Sequence, residues 1–138
     1  MKNIIDLIAR IFISTFFYFE ALDSFWFYDH TKATMQLYGV NWNIDFLLTS
    51  AIILLFLGST LVLLGYYSNI GAVMLLIYFV PTTFIIYSFW NDPETIRRMQ
   101  SINFMRNLAM IGGLLLLVVN KPGNYSMKRL IYVMRLPR

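Results

Sequence analysis

Apolar residues gather in long blocks separated by short polar intervals, on the scale of helices and not of strands. No Asp, Glu, Lys or Arg falls between Phe46 and Asn91, whereas a helix crosses the hydrocarbon core of a bilayer with about 20 apolar residues. That block is too long for one crossing and suits two, broken at Tyr66-Tyr67-Ser68-Asn69. A block before it includes the apolar run Ile11 to Phe19, and a block after it runs from Leu108 to Val119. The pattern predicts four spans, at residues 4–25, 46–66, 70–90 and 104–120. Trp26, Tyr28, Trp42, Tyr66, Tyr67 and Trp90 stand near their ends, where amphipathic rings settle at the membrane interface. The expected fold is all-α: a four-helix bundle in the membrane, followed by a short interfacial tail.

Within that frame, residues 1–120 form one domain. Lys121-Pro122-Gly123 ends the last helix, and residues 121–138 read as a basic cytoplasmic tail whose Leu130, Ile131, Val133 and Met134 lie on the membrane surface. Pro81 is expected to kink the third span, with the hydroxyls of Thr82 and Thr83 meeting the carbonyls that proline frees. The tight second-to-third connection makes those two spans antiparallel neighbours.

Composition narrows the class further. Of 138 residues, 59% are hydrophobic and 13% charged, more apolar surface than a soluble domain of this length hides. The amino terminus imitates a signal peptide, but Asp6 in its basic region and the lack of a small-x-small site near Ala21 favour a retained first span. The absence of cysteine excludes thiolate nucleophiles, disulfides and cysteine-ligated metals. The net charge of +4 reads as the positive-inside bias and not as nucleic-acid binding. Seven basic residues (Lys2, Arg10, Lys121, Lys128, Arg129, Arg135, Arg138) fall on the side of the termini, and four (Lys32, Arg97, Arg98, Arg106) on the other. The termini are therefore expected in the cytoplasm.

The candidate chemistry lies in the few charges inside the spans. Asp6, Arg10, Ile13, Phe17 and Glu20 recur at spacings of four, three, four and three, one helical stripe that Asp23 adjoins. Ionisable groups within spans face the bundle interior and find partners there. Arg10 has Asp6 one turn away. Arg106, in the outer half of the fourth span, is expected to meet Glu20 or Asp23 at the same depth. A purely structural pairing, or an Arg106 that snorkels to the interface, is the competing reading. His30 beside Asp29 makes a poor metal site, and no metal is expected. The scattered methionines read as packing, and Gly112-Gly113 as a place where another helix approaches closely. No nucleophile elbow, phosphate loop or zinc motif occurs, so enzymatic activity is left open.

The stretch Phe89-Trp90-Asn91-Asp92-Pro93, with Arg97 or Arg98, Gln100 and the run from Asn103 through Met105-Arg106-Asn107-Leu108-Ala109 to Gly112-Gly113, resembles the closing signature of the DoxX family. Arg10 and the hairpin from Gly65 to Ala72 fit the same pattern. Glu20 and Asp23 stand where relatives carry small or basic residues, and Tyr87-Ser88 where a histidine is frequent. The resemblance implies a four-helix bundle in the bacterial cytoplasmic membrane. It also implies a role as a small subunit or accessory protein anchoring or assisting a membrane-associated complex, a quinone-linked oxidoreductase among them, with a protein partner or a homo-oligomer. A quinone needs an apolar slot with a few polar groups, and Arg106, Asn107, Glu20 and Trp90 are the candidates, with Asp23 and Arg10 completing the polar set. The alternatives are a stand-alone binder or enzyme acting on a lipid-like molecule, and a structural component of an envelope assembly.

Overall fold

The structure, a computed structural model, describes residues 2–120 and 126–134. In chain order it contains α1 (Lys2–Trp26), α2 (Tyr28–Leu37), α3 (Ile44–Leu64), α4 (Ser68–Ile86), a 3₁₀ turn (Phe89–Asn91), α5 (Glu94–Val119) and α6 (Met127–Met134). Four of these helices share one core: Phe17 and Ala21 of α1, Leu55 and Val62 of α3, Ala72, Leu75 and Phe79 of α4, and Ile111, Leu114 and Leu117 of α5. Around the bundle α1 packs on α3, α3 on α4 and α4 on α5, while α1 and α5 touch only sparsely. That last seam is the loose one.

The outer surface is as apolar as the core. Phe12, Phe19, Phe46, Ile53, Leu57, Ile70, Ile77, Leu115, Leu116 and Val119 are all exposed, an arrangement that water would penalise and lipid accepts. The helix α3, the segment Ser68–Asn91 and α5 are each long and apolar enough to cross a membrane. With 25 residues α1 matches them in length, although Asp6, Arg10, Glu20 and Asp23 interrupt it.

Two glycine features set the α3–α4 hairpin. Gly65 caps α3 in the left-handed conformation at φ 66°, its N–H donating to the carbonyls of Leu61 and Val62. Farther along the hairpin, Gly58 and Gly71 bring two backbones together. A Cβ on Gly71 would lie 2.7 Å from the Gly58 carbonyl oxygen, and one on Gly58 2.9 Å from Leu75. The close approach expected at Gly112-Gly113 is thus found elsewhere. Gly112 faces open space, and a Cβ on Gly113 would meet only Ile13 Cδ1, at 3.6 Å.

Three expectations need adjusting. The connection after α1 holds a ten-residue helix, α2, and α5 begins at Glu94, ten residues ahead of the expected boundary. Both segments are polar, so no apolar periodicity betrays them. Pro93 at the N-cap and Glu94 in the first turn suit a helix start. Through Pro81 the helix α4 continues unbroken. Thr82 and Thr83 hydroxyls donate to the carbonyls of Tyr78 (2.8 Å) and Phe79 (2.7 Å), beside and not at the Ile77 carbonyl that proline leaves. Of the basic tail, Lys121, Arg135 and Arg138 lie outside the described residues, as do the side chains of Lys128 and Arg129. Within α6, Tyr132, Val133 and Met134 are exposed.

Candidate functional site

At one end of the bundle, Arg10 is completely buried. Its Nε donates to Asp6 Oδ2 at 3.0 Å and its Nη1 to the Leu63 carbonyl at 3.2 Å. That carbonyl belongs to the last turn of α3, whose orphan acceptors and negative dipole end favour a cation. The guanidinium lies directly beneath Gly65, where any Cβ would collide with Nη1 and with Ser126. Asn69 of α4 donates to the Val118 carbonyl of α5 at 3.1 Å nearby. Residues 10, 63, 69, 118 and 126 therefore share this hairpin end. The expected Asp6–Arg10 pair is present and belongs to a latch joining α1 to α3.

Toward the opposite end, where α2 lies, the polar groups are arranged differently. The buried residues of α1 are Arg10, Ser14, Phe17, Ala21 and Ser24. This stripe agrees with the expected one at Arg10 and Phe17 but leaves Glu20 on its flank and Asp23 exposed. The Glu20 carboxylate acts electrostatically on Tyr78 and Tyr87, with Ser24 and Thr82 beside Tyr78. Its own charged neighbour is the like charge of Asp23. No cation pairs with this carboxylate among the described residues, and a partly buried charge in that state is costly.

The expected pairing of Arg106 with Glu20 or Asp23 is not made. Among the described residues the ion pairs are Arg10–Asp6 and Lys32–Asp45, and Arg106 is exposed. Ile13 faces Gly113 across the α1–α5 seam, and seven residues toward the α2 end on each antiparallel helix bring Glu20 level with Arg106. The direction was wrong. Phe104, Ile111, Leu114 and Leu117 mark the buried stripe of α5, and Asn107 falls on it, whereas Arg106 points roughly 100° away. The Asn107 amide nitrogen is buried without a hydrogen-bond partner among the described residues.

Trp90 is half-exposed and edge-on to Phe89 (5.3 Å between centroids) and Phe104 (5.8 Å). Phe84 and Phe89 also meet Phe104, at 5.4 and 5.6 Å. Below the 3₁₀ turn, Asp92 is buried. Its carbonyl accepts from Arg97 Nε and Nη2 at 3.2 and 3.0 Å, and its Oδ1 accepts from the Tyr38 hydroxyl at 3.3 Å. Gln100 donates to the same hydroxyl at 3.3 Å, so Tyr38 ties α2 to α5, and burial raises the Tyr38 pKa above the usual phenol value. Of the expected site residues, Glu20 and Asn107 are partly buried, Asp23 lies beside Glu20 but is exposed, Arg106 and Trp90 are exposed, and Arg10 belongs to the latch. Sequence reasoning missed Tyr78 and Tyr87. Their only signal was a phenol in an otherwise apolar run, one turn before Thr82 in the first case.

A helical bundle with an apolar exterior and a few polar groups inside is a small integral membrane protein. The profile of the DoxX family matches residues 5–88, and that of the SURF4 family matches residues 52–131. Inner membrane protein YqjF of Escherichia coli (strain K12) is 32% identical over 134 residues, covering 95% of this chain and 97% of the relative. No solved structure matches the chain. The chain belongs to the DoxX family.

Proposed function

We propose that the protein is an accessory subunit of a membrane-associated complex in the bacterial inner membrane, and that its polar seam serves quinone-linked oxidoreduction. The observation that carries this reading is the buried, unpartnered Asn107 amide at the depth of Glu20. When bound, a quinone supplies two carbonyl acceptors on an apolar ring and takes up electrons with protons. Asn107 would donate to one carbonyl. Glu20, with Tyr78 and Tyr87 beside it, would hold or release a proton, and Phe16 and Phe79 would supply apolar walls. Such a site is apolar with few placed polar groups. The sparse α1–α5 contact leaves a lateral way in from the bilayer.

The inner-membrane location rests on the name of the relative in E. coli. The exposed Phe12 and Phe19 on α1 support its crossing as a fourth span, and the seven-to-four distribution of basic residues supports cytoplasmic termini. Reporter fusions after Gly39 and Lys128 would then give opposite signals, and identical signals would overturn that topology.

The decisive experiment is purification in mild detergent, followed by analysis of the organic extract and of co-purifying protein. A stoichiometric partner together with quinone, the quinone being lost in Asn107→Leu, is expected. A lone bundle carrying another lipid-like molecule would support the stand-alone binder instead, and neither partner nor ligand would overturn both.

A further inference from the structure

The outward face of α5 carries a second feature that the seam does not use. Two grooves run along it and meet at Phe89 and Ser101. The larger one, of about 620 Å³, is walled by Ile102, Met105 and Ala109 and holds Arg106. The other, of about 410 Å³, includes Glu94, Arg97 and Arg98. Arg97 is already committed to the Asp92 carbonyl. Neither Arg98 nor Arg106 has a side-chain hydrogen bond or ion pair among the described residues, and Glu94 pairs with neither. We propose that this face binds an anionic glycerophospholipid of the leaflet at the α2 end, its phosphate held by Arg106 and drawn in by Arg98.

Depth supports a lipid phosphate. Arg106 lies within one turn of Phe104, whose ring meets Trp90, an aromatic residue of the kind that marks the interface. Side chains on a helix lean toward its N-terminus, which for α5 is the α2 end. The guanidinium therefore rises from its Cα toward the headgroups while its stem stays in hydrocarbon. There it offers the paired donors that match a phosphate. Below it, Met105, Ala109 and Gly112 continue the same face, and at Gly112 a Cβ would meet nothing within 4 Å. An acyl chain lying along the helix fits this path.

Charge decides among lipids. Beside the committed Arg97, the face presents two uncommitted cations against the single carboxylate of Glu94. A zwitterionic headgroup brings its own ammonium, which Arg98 repels, whereas an anionic headgroup does not. This inference is independent of the quinone reading, because it concerns the opposite face of α5 and a different headgroup.

The test is native mass spectrometry of the full-length protein in mild detergent, with phosphatidylglycerol and phosphatidylcholine offered in equal amounts. Phosphatidylglycerol adducts should predominate. Arg106→Gln should cut that preference by about fivefold, the factor that one cation near an anionic lipid surface is worth. Arg98→Gln should cut it less, and Lys32→Gln on α2 should leave it unchanged. Should Arg106→Gln fail to fold, Ala109→Trp, which fills the groove below the cation, must reduce the preference instead. Equal retention of the two lipids overturns the proposal. So does a preference unmoved by Arg106→Gln and Ala109→Trp, which would assign it to other basic residues of the chain. A stoichiometric protein lost in Arg106→Gln while lipid preference persists also overturns it, since Arg106 would then meet a partner's carboxylate.

Discussion

The helix α1 carries ionisable groups at two depths, and the bundle treats them in opposite ways. At the hairpin end, Arg10 is wholly buried, paired with Asp6 and bonded to the end of α3. Ten residues farther on, Glu20 has no cation paired with it among the described residues, and the buried Asn107 amide nitrogen has no hydrogen-bond partner among them either. A satisfied polar cluster rigidifies, while an unsatisfied one costs stability. The difference teaches where to look for function in a span. The completed cluster reads as architecture, and the incomplete one is where the proposed ligand would bind.

The largest effect that bears on this contrast is expected from Arg10→Met. It removes the cation that Asp6 and the Leu63 carbonyl share, and losing one partner of a buried pair costs roughly 3–5 kcal/mol, to be read from thermal unfolding in detergent. Gly65→Ala should fail in the same direction, because its Cβ collides with Arg10 and its φ suits glycine. If Arg10→Met is tolerated, the latch is not architecture. Asn107→Leu should move the other way. It removes an unsatisfied buried amide whose penalty is about 1–3 kcal/mol, so unfolding should shift upward while ligand retention falls. A destabilised Asn107→Leu would mean that the amide has an internal partner, and the contrast would collapse. Arg106→Leu, exposed and unpaired within the fold, should change stability by no more than about 0.5 kcal/mol. A loss as large as that of Arg10→Met would restore a buried role for Arg106.

The smallest effect belongs to the surface pair Lys32–Asp45, at 2.6 Å. The hydrogen bond to Asp45 raises the Lys32 pKa above its ordinary value. A raised folded-state pKa means that the pair's contribution is complete below the unfolded lysine pKa and is lost as pH rises through the folded one. Lys32→Gln should therefore lower the melting temperature slightly at neutral pH, and the difference should vanish in strong alkali. A difference that persists there would point to packing instead of charge.

How much of this was legible beforehand follows from where a pattern existed to be read. The charge-free stretch after Phe46 made α3 and α4 plain, and the four-residue spacing made the Asp6–Arg10 pair plain. The polar helix α2 and the first turns of α5 offered no apolar stripe. The rotation of α5 was hidden for the opposite reason. From Leu108 to Val119 it is apolar all round, so nothing local tells Asn107 from Arg106 as the inward residue. That choice is made by Phe104, Ile111 and Leu114 filling the core. For the same reason the close helix contact could not be assigned to Gly58 and Gly71 over Gly112 and Gly113. The family was legible chiefly through residues 89–115, wholly beyond the part that the DoxX profile covers.

The hairpin-end latch also bears on how the chain is made. Its members lie far apart along the chain: Asp6 and Arg10 come before the Leu63 carbonyl and Gly65, and Ser126 comes after them. If α1 crosses as the proposed fourth span, it enters the bilayer before its tertiary acceptors exist. Because Asp6 lies one turn from Arg10, the charge is balanced within α1 itself from the moment the helix forms, which lowers the cost of inserting a guanidinium into hydrocarbon. The guanidinium of the latch thus carries its counter-charge on its own helix, before the α3 carbonyl that completes its bonding has been made.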